Sequence, residues 1–538
     1  VGRDTLCRDP FFPGGRRTDY GVLARDYDRL AGEAGVILVI LGDPARLHAE
    51  SSALTPKMLS LHLSSTLRRI DRFLGHLMRS SRRPRTILLF AASPPLARIA
   101  LGERLVPVVF WGEGFPPGLL SSFTTRQAGL LTPYDLTATI AACCGLDPVL
   151  LATGRALTVV PGAAASFLPG FYAEVVRNFG QREPFFFSYG LLLLITAMLA
   201  LTPSCRRLGF SEKTAATIFL GLTLLPVVLL IRALWPLGPL WWTFLTVLPP
   251  ALGGGWLLAK FCPSSRKRLA LAGLLVACPV LVDVIGGSHL LARSLLGYSP
   301  LLGARFYGLG NEYLGVVLGT VILAGSALYR ASSLRNRLGV AVLFALTALI
   351  VALPCYGANI GGGLTAVLGL GTTYFLLQGR RLGRREALGL LYGTAALLAL
   401  LILYDLLPGR RETSHLGQLL LRVRVEGLTA LWAVLCSKTL VVRRILNYTA
   451  WSWVLLGLLL LFPLALAYPP GRLAVYFERR GYLVTAVRGM WVTSFIGLLA
   501  NDSGVVVAAT IWIYLGLALV YLQQEKHSSS IKEESGWS

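Results

Sequence analysis

From about residue 184 the chain is a succession of long apolar runs separated by short polar links, a pattern that predicts bilayer-spanning helices. Eleven such runs are read, at about 184–203, 214–236, 239–261, 268–286, 312–329, 338–354, 358–378, 386–406, 449–468, 483–500 and 504–522. Each approaches the ~20 residues that a helix needs to cross ~30 Å of hydrocarbon. Before residue 184 the texture differs. A strand-like run, Val36–Leu41, ends in Gly42-Asp43-Pro44, and a helix-period stretch with Met58, Leu61, Leu67, Ile70 and Leu74 follows it. Two more strand-like runs, Thr86–Phe90 and Val106–Phe110, lead to a loop rich in Gly and Pro and then to a helix over Tyr134–Cys144. Strands alternating with helices at this spacing predict a mostly parallel sheet. Ligands of such sheets bind at the carboxyl ends of strands, which places Asp43 and the loop Gly112-Glu113-Gly114 beside any site.

The expected architecture is therefore a polytopic all-α membrane domain of about eleven transmembrane helices, preceded by a soluble α/β domain. The soluble part covers 1–183, membrane helices one to eight cover 184–406, and a basic segment covers 407–448. The last three helices cover 449–523 and a polar tail covers 524–538.

Composition agrees with the membrane class. Apolar residues fill 54% of the 538 positions and charged residues 14%, against roughly 25% charged in ordinary soluble domains. The 51 Lys and Arg outnumber the 27 Asp and Glu, for a net charge of +24. The arginines form short clusters between apolar runs, which is the positive-inside pattern and excludes nucleic acid as the partner. Eight cysteines are scattered without CxxC or CxH spacing, so no zinc or redox motif is present. The chain opens on Val1 with no charged n-region or apolar h-region, which implies a removed leader or upstream sequence.

The basic links fix an expected orientation. Arg206-Arg207 with Lys213, Arg266-Lys267-Arg268, Arg330 with Arg335 and Arg337, and Arg380-Arg381 with Arg384-Arg385 follow every second span, so those links are cytoplasmic. The protein is then a multi-pass protein of the plasma (cytoplasmic) membrane, with its N-terminal domain extracytoplasmic and its C-terminal tail cytoplasmic. Residues 409–447 carry Arg410, Arg411, Arg422, Arg424, Lys438, Arg443 and Arg444 on a side expected to be external. They read as a basic helix lying in the interface plane, because Arg422 and Arg424 at bilayer depth cost several kcal/mol each. An additional crossing is the competing reading.

Polar residues at membrane depth are expensive and mark candidate sites. Asp283 closes the fourth span, and an outer loop from Gly297 to Tyr313 contains Arg305, Tyr307, Asn311 and Glu312. Pro354–Gly363 contains Asn359, and Asn501-Asp502-Ser503-Gly504 joins the last two spans. On the derived topology all four clusters fall at the outer face, where Asp283, Glu312 and Asp502 supply negative charge, Arg305 positive charge, and Asn311, Asn359 and Asn501 amide hydrogen bonds. The plainer alternative is that Asn, Asp and Gly make turns and helix caps, and that Glu312 pairs with Arg305.

Val106–Gly114, Gly118-Leu-Leu-Ser-Ser, Gly129–Ile140 with its Asp135-Leu-x-x-Thr139-Ile140, and Gly145-Leu146 together resemble the C-terminal part of the alkaline phosphatase/sulfatase superfamily. The resemblance covers about residues 35–155. The domain order is similar to that of glycolipid ethanolamine-phosphate transferases and of other bacterial membrane proteins in which such a domain precedes many spans. The superfamily implies two metal ions, a Ser or Thr nucleophile, and Asp and His ligands after later strands. Here Ala91-Ala92-Ser93-Pro94 stands where the family has an Asp-His pair, and no His occurs between His76 and His289. Asp43 and His48 are the remaining metal candidates. The domain is therefore expected to be degenerate and non-catalytic, with no resident cofactor and a divalent metal only if it is active. The expected partners are the bilayer and a lipid-linked or envelope substrate. A phospho-group transferase and a secondary transporter using Asp283, Glu312 and Asp502 are the alternatives.

Overall fold

A computed structural model describes residues 5–79, 85–112, 115–146, 154–162, 165–201, 211–236, 238–407, 450–468 and 481–524, with scattered positions over 417–443. The chain divides into two compact units, Val1–Tyr172 and Ala173–Ser538.

Among the described residues the first unit holds six short strands: β1 (Leu6–Arg8), β2 (Arg16–Thr18), β3 (Thr86–Phe90), β4 (Val108–Gly112), β5 (Gly118–Ser121) and β6 (Thr158–Pro161). Its helices are α1 (Tyr20–Leu30), α2 (Asp43–Ala49), α3 (Pro56–Arg79), α4 (Leu96–Ala100) and α5 (Pro133–Cys143). The strands pair β1–β2, β3–β4 and β5–β6, all antiparallel. The expected parallel sheet is thus replaced, among the described residues, by three two-stranded ribbons. For β1 and β2 the reason is the link: residues 9–15 are fewer than the dozen or more that a parallel crossover needs, so that pair is a hairpin. Val36–Leu41, expected as a strand, forms none, and Val36, Leu38 and Ile40 are exposed. A β-branched run becomes a strand only where another segment supplies its ladder partners. Packing centres on α3, whose Thr66, Ile70, Phe73 and Leu77 recur at helical spacing on one buried stripe.

The helix α6 (Leu168–Leu201) runs unbroken through Pro184. In the second unit follow α7 (Glu212–Thr223), α8 (Leu225–Arg232), α9 (Leu240–Phe261), α10 (Ser265–Ile285), the short α11 (His289–Arg293), α12 (Asn311–Leu328), α13 (Leu334–Ala352), α14 (Ile360–Leu377) and α15 (Arg384–Leu406). The last three are α16 (Ala450–Ala467), α17 (Gly481–Ala500) and α18 (Gly504–Gln524). Among the described residues ten helices are long and apolar enough to cross a bilayer, with α7 and α8 together forming one of them. The protein is a multi-pass integral membrane protein in contact with lipid. The expected span at 449–468, ninth in order, falls on α16, where the described apolar stretch is the shorter Leu455–Leu464. The basic segment 407–448 lies almost wholly outside the described residues.

The bundle is organised around α12, which is buried without interruption from Tyr313 to Ala327 and packs against α10, α17 and α18. Helices in lipid gain little from the hydrophobic effect between themselves, so close approach through small residues matters more. Gly221 and Gly255 face each other between α7 and α9, and Gly369 and Gly489 each receive a threonine side chain between α14 and α17.

The break between α7 and α8 shows how irregular backbone survives in such surroundings. Pro226 has no N–H, so the Leu222 carbonyl loses its usual donor four residues on. The Tyr189 hydroxyl donates to that carbonyl at 2.9 Å. Tyr514 donates to the Thr223 carbonyl at 3.2 Å, and Tyr313 to the Pro226 carbonyl at 3.0 Å. All three tyrosines are buried. An unsatisfied carbonyl in hydrocarbon costs several kcal/mol, which these hydroxyls avert.

Candidate functional site

The helices sort polar chemistry to one end of the bundle and basic links to the other. At the basic end the Arg266 Nε donates to the Ala327 carbonyl at 2.6 Å, the Tyr374 hydroxyl to the Arg337 carbonyl at 3.3 Å, and Arg268 to the Tyr521 hydroxyl at 3.5 Å. The opposite ends of the same helices carry Arg305–Tyr313, Asn359 and Asn501–Asp502, and those segments meet.

Asn359 joins two of them. Its Oδ1 accepts the Gly362 N–H at 2.8 Å and caps α14, while its Nδ2 donates to the Leu309 carbonyl at 3.0 Å and to Asn311 Oδ1 at 3.4 Å. Asn311 Nδ2 then donates to Asp502 Oδ1 at 3.2 Å, ahead of α18. Asn501 Nδ2 donates to Thr365 Oγ1 at 3.1 Å and to the Gly497 carbonyl at 3.0 Å. Two glycines permit the approach. Gly308 has φ +74°, where a Cβ would stand 2.3 Å from the Gly357 carbonyl oxygen, and a Cβ on Gly361 would stand 2.7 Å from the Ala500 carbonyl oxygen. The N-termini of α12, α14 and α18 therefore meet in one polar cluster.

Charge enters from two arginines. Arg182, on α6, donates from Nη2 to Glu312 Oε1 at 3.0 Å. The plainer alternative paired Glu312 with Arg305; the structure pairs it with Arg182 instead. Arg305 is half-buried, and its Nη1 reaches the Gly357 and Ala358 carbonyls at 3.4 and 3.5 Å. Burial pulls the Arg305 guanidinium below its usual pKa, while Asp502, Tyr307, Tyr298 and Glu312 pull the other way. Tyr307 is half-buried beside this charge. Asp283 does something else. Its carboxylate accepts the Leu290 and Leu291 N–H groups at 3.0 and 2.8 Å, which satisfies the N-terminus of α11.

Of the residues expected from sequence, Arg305, Asn311, Glu312, Asn359, Asn501 and Asp502 come together, and Asp283 serves the neighbouring turn. Sequence reasoning missed the polar stripe on α6. Glu174 pairs with Arg293 at 3.0 Å, Gln181 bonds the Gly238 carbonyl at 2.7 Å and Thr243 at 2.8 Å, and Arg182 reaches Glu312. A signal existed: residues 174, 178, 181, 182, 185 and 189 share one face at helical spacing, continuous with the first span.

In the first unit the metal candidates are placed differently from expectation. Asp43 is fully buried and accepts from the Thr18 N–H at 2.8 Å, the Thr18 hydroxyl at 3.1 Å, the Tyr20 hydroxyl at 2.9 Å and Arg46 at 2.5 Å. Its oxygens are taken by donors and it opens α2, so it is no free strand-end ligand. The carbonyl of His48 accepts the Ser51 hydroxyl, and among the described residues no group of three His, Cys, Asp or Glu could hold a metal ion. Asp135 is a second saturated acceptor. It receives the Ser122, Thr124 and Thr132 hydroxyls and the Thr132 and Arg155 N–H groups, at 2.5–2.9 Å. Gly112 ends β4, and Glu113 and Gly114 lie outside the described residues.

No family model, no curated protein and no solved structure matches this chain.

Proposed function

We propose that the membrane unit handles a lipid-linked or envelope substrate at the polar cluster where α12, α14 and α18 begin, and that this end faces outward across a cell-envelope membrane. The observation that carries the reading is the convergence of Arg182–Glu312, Arg305, Asn311–Asp502 and Asn359 from four distant stretches of chain. Two cations, two carboxylates and amides gathered at a helix-bundle end are costly in lipid surroundings and are explained by a polar ligand. The outward sense rests on the Lys and Arg links at the opposite end, which the positive-inside rule assigns to the cytoplasm. Residues 1–172 act in this reading as a non-catalytic, phosphatase-like ectodomain. Asp43 and Asp135 support that role, because each spends its carboxylate on the fold.

Native mass spectrometry of the full chain purified from bacterial membranes tests the site. The wild type carries a co-purifying amphiphile that Asp502→Asn loses, with an unchanged melting temperature. Equal occupancy in both proteins removes the reading.

A further inference from the structure

Resting on that site, we infer that its ligand presents a phosphoryl group and that Arg305 is the residue that binds it. The other charges of the cluster already have partners. Glu312 is committed to Arg182 at 3.0 Å. Asp502 accepts from Asn311 at 3.2 Å and from the Ser503 N–H at 3.1 Å. Asp283 accepts two N–H groups of α11. Arg305 is different. Its described hydrogen bonds are two carbonyl contacts at 3.4 and 3.5 Å from one nitrogen, at the long limit of such bonds. No carboxylate among the described residues lies within ion-pair distance of it, although Asp502 and Glu312 act on its charge from further away.

A guanidinium has five N–H donors in a planar fork, which fits two oxygens of a phosphoryl group side by side. A half-buried cation left with weak partners gains most from an anion that brings its own acceptors. The surroundings reinforce this sign. Asn359 and Asp502 tie the first turns of α12, α14 and α18 to one another, so three helix dipoles present their positive ends to the same place. A neutral sugar alone would use the amides and leave the Arg305 fork with its long carbonyl contacts only. The phosphoryl group belongs either to a lipid headgroup or to a free phosphate.

The experiment titrates the purified full chain in a neutral maltoside detergent with dodecyl phosphate and follows the melting temperature, with dodecanoate, dodecanol and inorganic phosphate in parallel. Dodecyl phosphate raises the melting temperature saturably, whereas dodecanol does not. Arg305→Gln weakens its binding by at least about tenfold, as expected for loss of a charge-assisted hydrogen-bonded pair. Arg305→Lys recovers part of it, and Arg335→Gln at the basic end leaves it unchanged. Competition by inorganic phosphate supports recognition of the phosphoryl group itself; binding of dodecyl phosphate without that competition supports a lipid phosphate. Wild-type affinity in Arg305→Gln overturns the assignment, as does equal binding of dodecanoate. Should that happen while Asp502→Asn still loses its co-purifying amphiphile, the site stands and only the phosphoryl assignment falls.

Discussion

Asp135 in the first unit and Arg305 in the second are both charged side chains drawn away from water, and their surroundings treat them in opposite ways. Five donors saturate Asp135, at distances of 2.5–2.9 Å. Arg305 receives two carbonyls at 3.4 and 3.5 Å. A buried charge that is fully bonded holds the fold together; one left with spare donors is poised toward something outside the chain. The first unit thus spends the carboxylates of Asp43 and Asp135 on structure. The unit that looks at first like repeated apolar helices keeps a charge in reserve.

The contrast can be broken at several points. The largest effect belongs to Asp135→Ala, which orphans five donors and is expected to destabilise the first unit by about 3 kcal/mol or more. Limited proteolysis of the full chain, read at cleavage sites within residues 5–172, measures it. A loss below about 1 kcal/mol would mean that water replaces the carboxylate easily.

Acid probes the same feature at Asp43. Burial opposes its ionisation, but Arg46, the Thr18 N–H and hydroxyl, and the Tyr20 hydroxyl outweigh burial and hold the carboxyl below its usual range. With a depressed folded pKa, the stabilisation is present above the unfolded value of ~3.9 and is lost as pH falls through the folded value. Protease resistance of the first unit should therefore drop as pH is lowered below ~4, and Asp43→Asn should flatten that pH dependence. A slope unchanged in the variant would assign the acid sensitivity elsewhere.

Tyr189→Phe leaves the Leu222 carbonyl without its donor beside Pro226 and should lower membrane-unit stability by about 1 kcal/mol, measured by denaturation in detergent. Arg305→Gln is expected to change folding stability least, within about 0.5 kcal/mol of the wild type without ligand, because it removes a cation with only long hydrogen bonds. A melting loss as large as that of Asp135→Ala would erase the difference between the two units.

How much was legible follows from the range of each interaction. Thr86–Phe90 reads as a strand and forms β3, and the helix expected over Tyr134–Cys144 forms α5, because local propensity and capping by Thr132 and Asp135 suffice there. Val36–Leu41 reads as a strand just as well, yet pairs with nothing among the described residues. In the membrane unit, Asn311, Asn359 and Asp502 stood out because polar types are expensive at membrane depth. Arg182 did not, because its role depends on Glu312, 130 positions away.

Sequence by itself determined that the chain crosses a membrane many times, and which span ends carry polar chemistry and which carry basic links. Those properties follow from the cost of putting single residues into hydrocarbon, and that cost is paid locally, helix by helix. Only the tertiary structure decided that α12 lies at the bundle's centre, that Arg182 takes Glu312, and that Asp43 and Asp135 are consumed by their own unit. Hydrogen bonds and ion pairs are made over about 3 Å between segments whose separation along the chain sets no limit on their meeting. A residue's type shows what it can bond, and packing decides what it does bond.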